Sequence, residues 1–236
     1  MVENNTGILI QARMSSKRLP GKSLLDLGGG LKVIDAVYNR CQQSIIKQKI
    51  IFCISENIQD DPLAEYLKLN GYKFFRGHST NLVNRFMQAC KYYGLDFFIR
   101  VTGDNPLVDP EIINYFCSFD EKIDFVDGYS PRELPNGTIV SRISYNILKF
   151  LNENEKNEYH LEHVVTSDLI KHKYLPEFKD EWKSPLTRFC IDYNEDYIFL
   201  IKLFKVKDIL KYSTLELITL IKSLNPDNIK YAKEGY

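Results

Sequence analysis

The sequence has no continuous apolar run of the length that crosses a bilayer, so no membrane-spanning helix is expected. Neither charge is in excess: 31 Lys and Arg stand against 31 Asp and Glu. A neutral chain offers no general attraction for nucleic acid, and none is expected as a partner. The five cysteines, Cys41, Cys53, Cys90, Cys117 and Cys190, are odd in number and lack C-x-x-C spacing. That pattern argues against a zinc site and points to reduced core thiols in a cytoplasmic protein. The stretch "MVENNTGILIQ" has neither the basic start nor the apolar length of a signal peptide. Two glycine fingerprints are missing as well. There is no G-x-G-x-x-G, and the P-loop pattern fails because Ser16 stands where its first glycine belongs, ahead of Gly21-Lys22-Ser23.

What is present reads as one compact α/β domain over 1–236, with 128–165 as an excursion toward an acceptor or a second copy. The chain has 15 Tyr and 14 Phe, enough aromatic material for a sizeable core. Apolar strand-like runs recur at 7–11, 49–54, 73–75, 97–101, 124–127 and 187–191, with helical patterns between most of them. Such alternation predicts a Rossmann-like α/β/α sandwich around a mostly parallel sheet. Helix starts are marked at Asp61-Pro62 and Asp109-Pro110, where a capping carboxylate precedes a proline. Ser213 with Glu216 gives a capping box, Gly71 a left-handed helix end, and Asn225-Pro226 a helix stop.

In open α/β sheets ligands gather beyond the carboxyl ends of the strands. "IQARMSSKRLPGKS", residues 10–23, follows the first strand. Its hydroxyls (Ser15, Ser16), the backbone near Gly21, and Arg13, Arg18 and Lys22 are suited to phosphate oxygens. A solvated basic loop is the plain alternative. "RVTGDNPLVDP", 100–110, ends a strand in Asp104, placed to hold Mg²⁺ beside phosphates; Asp109 reads as a helix cap. "RFCIDYNEDY", 188–197, ends in Asp192, while Glu195 and Asp196 read as first-turn acids. Two strand-end aspartates suit a metal-assisted phosphoryl-type site. "HLEH", 160–163, is not H-E-x-x-H and has no evident third ligand, so zinc is not expected.

Together "QARMSSKRLPGK", the following L-x-x-L-G, "FRG", "R-x-TGDNPLVDP" and "R-x-x-ID-x-x-ED" resemble the cytidylyltransferase-domain family, in particular its spore coat polysaccharide branch. The CMP-Kdo and CMP-sialic acid synthetases are more distant members. The resemblance runs in order from about residue 7 to 204. It implies the nucleotidyltransferase sandwich, often dimeric through a small projecting segment. It also implies transfer of CMP from CTP to an anionic sugar or related acceptor, with release of pyrophosphate. By the same resemblance, Arg13, Ser16, Arg18 and Lys22 belong to the triphosphate loop, with Ser15 beside them. Asp104 and Asp192 hold the catalytic Mg²⁺, Arg85 matches a "D-R-[FY]" arginine, and Asn136, Glu162 and His163 lie on the acceptor side. Two departures stand out. Asn84 replaces the usual aspartate before Arg85, and "RELPNGTIVSRIS", 132–144, lacks the acidic residues relatives carry there. A different base, a phosphorylated non-sugar acceptor, or a non-catalytic nucleotide-binding role therefore stays open.

Overall fold

A computed structural model describes residues 5–130, 132–154 and 173–224. Seven strands form one sheet: β1 (Thr6–Gln11), β2 (Ile50–Ser55), β3 (Phe74–Gly77), β4 (Phe97–Thr102), β5 (Phe125–Val126), β6 (Ser141–Ser144) and β7 (Lys173–Tyr174). Their order across the sheet is β3-β2-β1-β4-β6-β5-β7. β1 pairs in parallel with both β2 and β4, and β2 with β3. β6 runs against its two neighbours, and β5 and β7 are parallel to each other. The central strands read as continuous apolar runs because both of their faces are covered, as parallel sheets require. All six residues of β2 are buried.

Alternation along β1 and β4 divides the core. Ile8, Ile10, Ile99 and Val101 face one layer, which contains α1 (Val33–Cys41), α2 (Asp61–Leu69) and α4 (Pro110–Cys117). Leu9 and Phe98 face the other, which contains α3 (Leu82–Tyr93) and α5 (Tyr145–Asn154). A third apolar cluster joins Leu27, Val33 and Leu107 to Phe189, Ile191 and two late helices, α6 (Asn194–Leu203) and α7 (Thr214–Leu224). The expected α/β/α sandwich is present. Among the described residues no helix is long and apolar enough to cross a membrane, and all five cysteines are free thiols.

Several expected helix ends are found. Asp109 accepts from Glu111 N at 2.7 Å, and its other oxygen takes Thr214 N and Oγ1, tying α4 to α7. Ser213 and Glu216 form the capping box, and Gly71 has φ 69° just past α2. Pro226 lies outside the described residues. Asp61, expected as a cap, is instead the first helical residue. The buried residue before it, Asp60, carries the tertiary bonds, accepting from Ser55 N, Ser55 Oγ and Met14 N.

Three strand assignments differ from expectation. Residues 187–191 make only an isolated bridge between Asn136 and Arg188, because this segment crosses the carboxyl end of the sheet instead of joining it. β6, at Ser141–Ser144, fills the place beside β4 although its sequence, "SRIS", has little apolar character. β7 is a further short strand at the sheet edge. Within 128–165, β6 and α5 are thus built into the body of the fold, α5 packing along α3.

Candidate active site

The site begins where β1 ends. After Gln11 the chain turns tightly: the N–H groups of Ser16 and Gly21 both donate to Met14 O at 2.9 Å. Gly21 has φ 72°, a conformation that favours glycine, and a short 3₁₀ turn, Lys22–Leu24, follows. The loop is anchored from outside by Met14 N donating to Asp60 Oδ1 at 2.6 Å. Arg13, Ser15 and Arg18 are exposed on it, whereas Ser16 is buried and accepts from Leu19 N at 3.4 Å.

β4 delivers Asp104 next to this loop. Gly103 N donates to Gln11 O at 2.7 Å. A Cβ on Gly103 would stand 2.9 Å from Ala12 Cβ, so only glycine lets the two strand ends close this tightly. The third element is the segment before α6. Phe189 N donates to Asn136 O at 2.6 Å, Asn136 N to Thr187 O at 2.9 Å, and Ile191 N to Asp104 O at 2.9 Å. Gly137 permits that crossing: its φ is 107°, and a Cβ there would lie 2.6 Å from Cys190 N. Asp192 is thereby set beside Asp104.

The two aspartates meet at Lys22. Its Nζ donates to Asp104 Oδ2 at 2.5 Å, to Ile191 O at 2.6 Å and to Asp192 Oδ1 at 3.1 Å. Arg18 reaches the same Asp192 oxygen at 2.7 Å and lies over the Tyr193 ring, while Arg188 takes Asp192 Oδ2 at 3.2 Å. Asp196 steadies the group from below: its Oδ2 accepts from Asp192 N and Tyr193 N, both at 2.9 Å, and pairs with Arg188. Burial alone would lower the Lys22 ammonium, but the Asp104 and Asp192 carboxylates reverse this and hold it above its ordinary value. Burial would likewise raise Asp192, and Lys22, Arg18 and Arg188 instead hold it below the usual carboxylate range.

Lys22, Asp104, Asp192 and Arg18 are thus brought into one cluster. Lys22 bridges the two carboxylates where a phosphate contact was expected. Arg13 and Ser15 stay on the rim. Arg85 is buried in α3, with its guanidinium donating to His78 O and Ser79 O, so that it braces the β3–α3 loop. Asn136 contributes its backbone, as the clamp on the 187–189 segment. Glu162 and His163 lie outside the described residues.

Arg188 and Asp196 were not singled out from sequence as parts of the site. Their signal is the i, i+4 spacing of Arg188 to Asp192 and of Asp192 to Asp196, which a cap at Tyr193 folds into one network. Among the described residues no group of three or more His, Cys, Asp or Glu side chains is gathered as for a metal ion. Two carboxylates that converge on one ammonium are nevertheless a hard-oxygen pair that would suit Mg²⁺.

A nucleotidyltransferase sandwich is the class that this fold defines. Residues 7–125 match the family model described as cytidylyltransferase. The chain is 31% identical over 236 residues to spore coat polysaccharide biosynthesis protein SpsF of Bacillus subtilis, covering 95% of this chain and 96% of that one. A 3-deoxy-manno-octulosonate cytidylyltransferase of Leptothrix cholodnii is 33% identical over 110 residues, covering 45% of this chain and 39% of its own. Among solved structures, a cytidylyltransferase from Leptospira borgpetersenii superposes with TM-score 0.88 at 27% identity, over 99% of this chain and 100% of that one. A CMP:2-keto-3-deoxy-manno-octonic acid synthetase complexed with CTP shares the fold, with TM-score 0.61 at 15% identity, over 86% and 99%. The chain belongs to the cytidylyltransferase family, and it is a nucleotidyltransferase.

Proposed function

We propose that this enzyme transfers CMP from CTP to an anionic sugar or related acceptor, releasing pyrophosphate, in the assembly of a surface polysaccharide or other glycan. The observation that carries this reading is the convergence of Asp104 and Asp192 on Lys22, beside the loop that follows β1. An oxygen of the acceptor attacks the α-phosphorus of CTP, a phosphate or carboxylate oxygen directly and a sugar hydroxyl with loss of its proton to water. The new P–O bond forms in line with the bond to the β-phosphate oxygen, which breaks, and pyrophosphate carries away the electron pair. Arg13, Arg18 and Lys22 would take the β- and γ-phosphate oxygens, with Ser15 and Ser16 lining the loop. Asp104 and Asp192 would hold Mg²⁺, whose charge would offset that of the phosphates. Catalysis is then mainly positioning and electrostatics.

Charge balance supports a metal here. Arg18, Lys22 and Arg188 face Asp104, Asp192 and Asp196, so the pairs are already matched. A triphosphate adds several negative charges, and a divalent cation between the carboxylates would free Lys22 to turn toward the phosphates. The acceptor side is assigned to Asn136, Glu162 and His163, with Arg85 near the nucleotide, on resemblance alone. The names of the two curated relatives support a sugar acceptor. We place the reaction in the cytoplasm, where the free thiols fit a reducing environment. We also assign a homodimer, supported by Tyr174 and Leu175, apolar and exposed at the β7 edge.

The test is a panel of the four nucleoside triphosphates against sugar acids and sugar phosphates with Mg²⁺, read as pyrophosphate. Release with CTP and an anionic sugar is expected. Release only with another base moves the specificity, and firm CTP binding with no release from any pairing overturns transfer. Light scattering during size-exclusion chromatography reads the dimer.

A further inference from the structure

Four arginines are buried: Arg40, Arg85, Arg100 and Arg142. Three of them brace loops. Arg40 donates to Val108 O and Leu210 O, Arg85 to His78 O and Ser79 O, and Arg142 to Asp120 O and Ile123 O. Arg100 is different. It is 8% exposed and bonds no backbone carbonyl, and among the described residues no carboxylate lies within ion-pair distance of it. Its partners are two side chains. Nε and Nη2 both donate to Gln11 Oε1, at 3.0 and 2.9 Å, and Nη1 stands 3.5 Å from Tyr129 Oη. The ring of Tyr129 also lies near the guanidinium carbon, at 5.8 Å from ring centroid.

A guanidinium carries five N–H donors arranged as forks. Gln11 fills the Nε–Nη2 fork with a single neutral oxygen. The other fork, between Nη1 and Nη2, has at most the long Tyr129 contact. A buried cation without an anion is costly, and a neutral carboxamide answers it only in part. The position matters as much as the chemistry. Arg100 is in β4, on the face that carries α3 and α5, and pairs across with Leu9 in β1 and Ser141 in β6. Its side chain reaches Gln11, the last residue of β1, directly before the basic loop, and Asp104 follows four positions later, two residues past the end of β4. The seam between β1 and β4 is where the strand order turns back, since β2 and β3 lie on one side and β4 on the other. That is the crevice in which α/β sheets bind ligands.

We propose that the Nη1–Nη2 edge of Arg100, backed by Gln11 and Tyr129, is the subsite for the acceptor's oxyanion, either a carboxylate or a phosphate. The assignment rests on the cytidylyl-transfer reading for the acceptor's identity. A bidentate contact there would fix the orientation of the acceptor at the strand ends and explain why Gln11 is neutral: a glutamate would occupy the cation permanently. Arg100 on this view selects the acceptor and leaves CTP to the β1 loop.

The test is calorimetry on the full chain with CMP and without metal, so that nothing turns over. Ketodeoxyoctonate and sialic acid form the carboxylate arm, their methyl esters the neutral arm and glucose 1-phosphate the phosphate arm. The expected result is binding of one anionic arm but not the esters. Arg100→Gln should weaken that binding on the order of 100-fold, and Gln11→Glu, at a half-buried position, should do the same. CMP affinity stays within about twofold in both, since a subsite for the acceptor does not touch the nucleotide. No binding of any anionic arm by wild type, equal binding of acid and ester, or unchanged binding in either folded variant overturns the subsite. Pyrophosphate release judges transfer separately. A wild type that binds an acid through Arg100 yet releases no pyrophosphate from CTP with it overturns transfer and leaves the subsite standing.

Discussion

Replacing Lys22 by methionine should make the protein bind Mg²⁺ more tightly while it loses activity. The side chains of Lys22, Asp104 and Asp192 are only 11%, 23% and 14% exposed, and both carboxylates share the one ammonium. Breaking a buried ion pair costs about 3–5 kcal/mol. Asp192 keeps Arg18 and Arg188, and Asp104 is partly open to water, so about 2–3 kcal/mol is expected here. For a chain of this size that is a fall in Tm of roughly 5–10 °C. In wild type a cation must displace Lys22 from the carboxylates; in Lys22→Met it meets two uncompensated ones. Mg²⁺ at about 100 times its Kd returns about 2.7 kcal/mol, so melting with EDTA and with Mg²⁺ should show the variant rescued far more than wild type.

The same variant has a pH signature. Asp192 is held below the usual carboxylate range, so its contribution is present above its unfolded pKa and is lost as pH falls through the folded one. Without Lys22 that loss begins at higher pH. Lys22 is held above 10.5, so its contribution is complete below that value and is lost as pH rises through the folded one. The alkaline loss should vanish from the variant. Equal melting of the two proteins in EDTA, or Mg²⁺ stabilising wild type at least as much as Lys22→Met, would refute the shared-ammonium account.

Two further expectations follow from the same geometry. Asp104→Asn should fold, since Lys22 retains Asp192 and Ile191 O, and should reduce Mg²⁺-dependent pyrophosphate release from CTP by at least about 100-fold; near wild-type turnover with saturating acceptor would remove Asp104 from the metal site. Gly137→Ala, at φ 107° with a Cβ 2.6 Å from Cys190 N, should cost about 1–3 kcal/mol of stability and loosen the segment that carries Asp192. A denaturant midpoint equal to that of wild type counts against that clamp.

The sheet's centre was legible because β1, β2 and β4 carry apolar residues on both faces, with Arg100 the charged exception in β4, a pattern that parallel strands impose. The carboxyl-end motifs were legible for a related reason: Gly21, Gly103 and the aspartates occupy positions where the backbone must turn or approach closely. β6 was not legible. Ser141, Arg142 and Ser144 are polar yet buried, satisfied by strand pairing and by contacts such as Arg142 with Asp120 O and Ile123 O. Residues 187–191 misled in the opposite sense, since their apolar side chains pack Phe189 and Ile191 into the α6–α7 cluster and not onto the sheet. The convergence of Lys22 on two aspartates was also out of reach, because tertiary folding and not spacing makes it.

That convergence has a consequence in time. Lys22 is 82 residues from Asp104 and 170 from Asp192. At about 5–20 residues per second of synthesis, the first aspartate emerges roughly 4–18 s before the second. For that interval the nascent chain has the ammonium and one carboxylate, without the 188–196 network that completes the pair. The lysine can settle on Asp104 as soon as β1 and β4 dock, and the last segment then arrives at a cation already in place. Long-range closure of this kind makes the site one of the last parts of the molecule to form and links its assembly to the docking of α6.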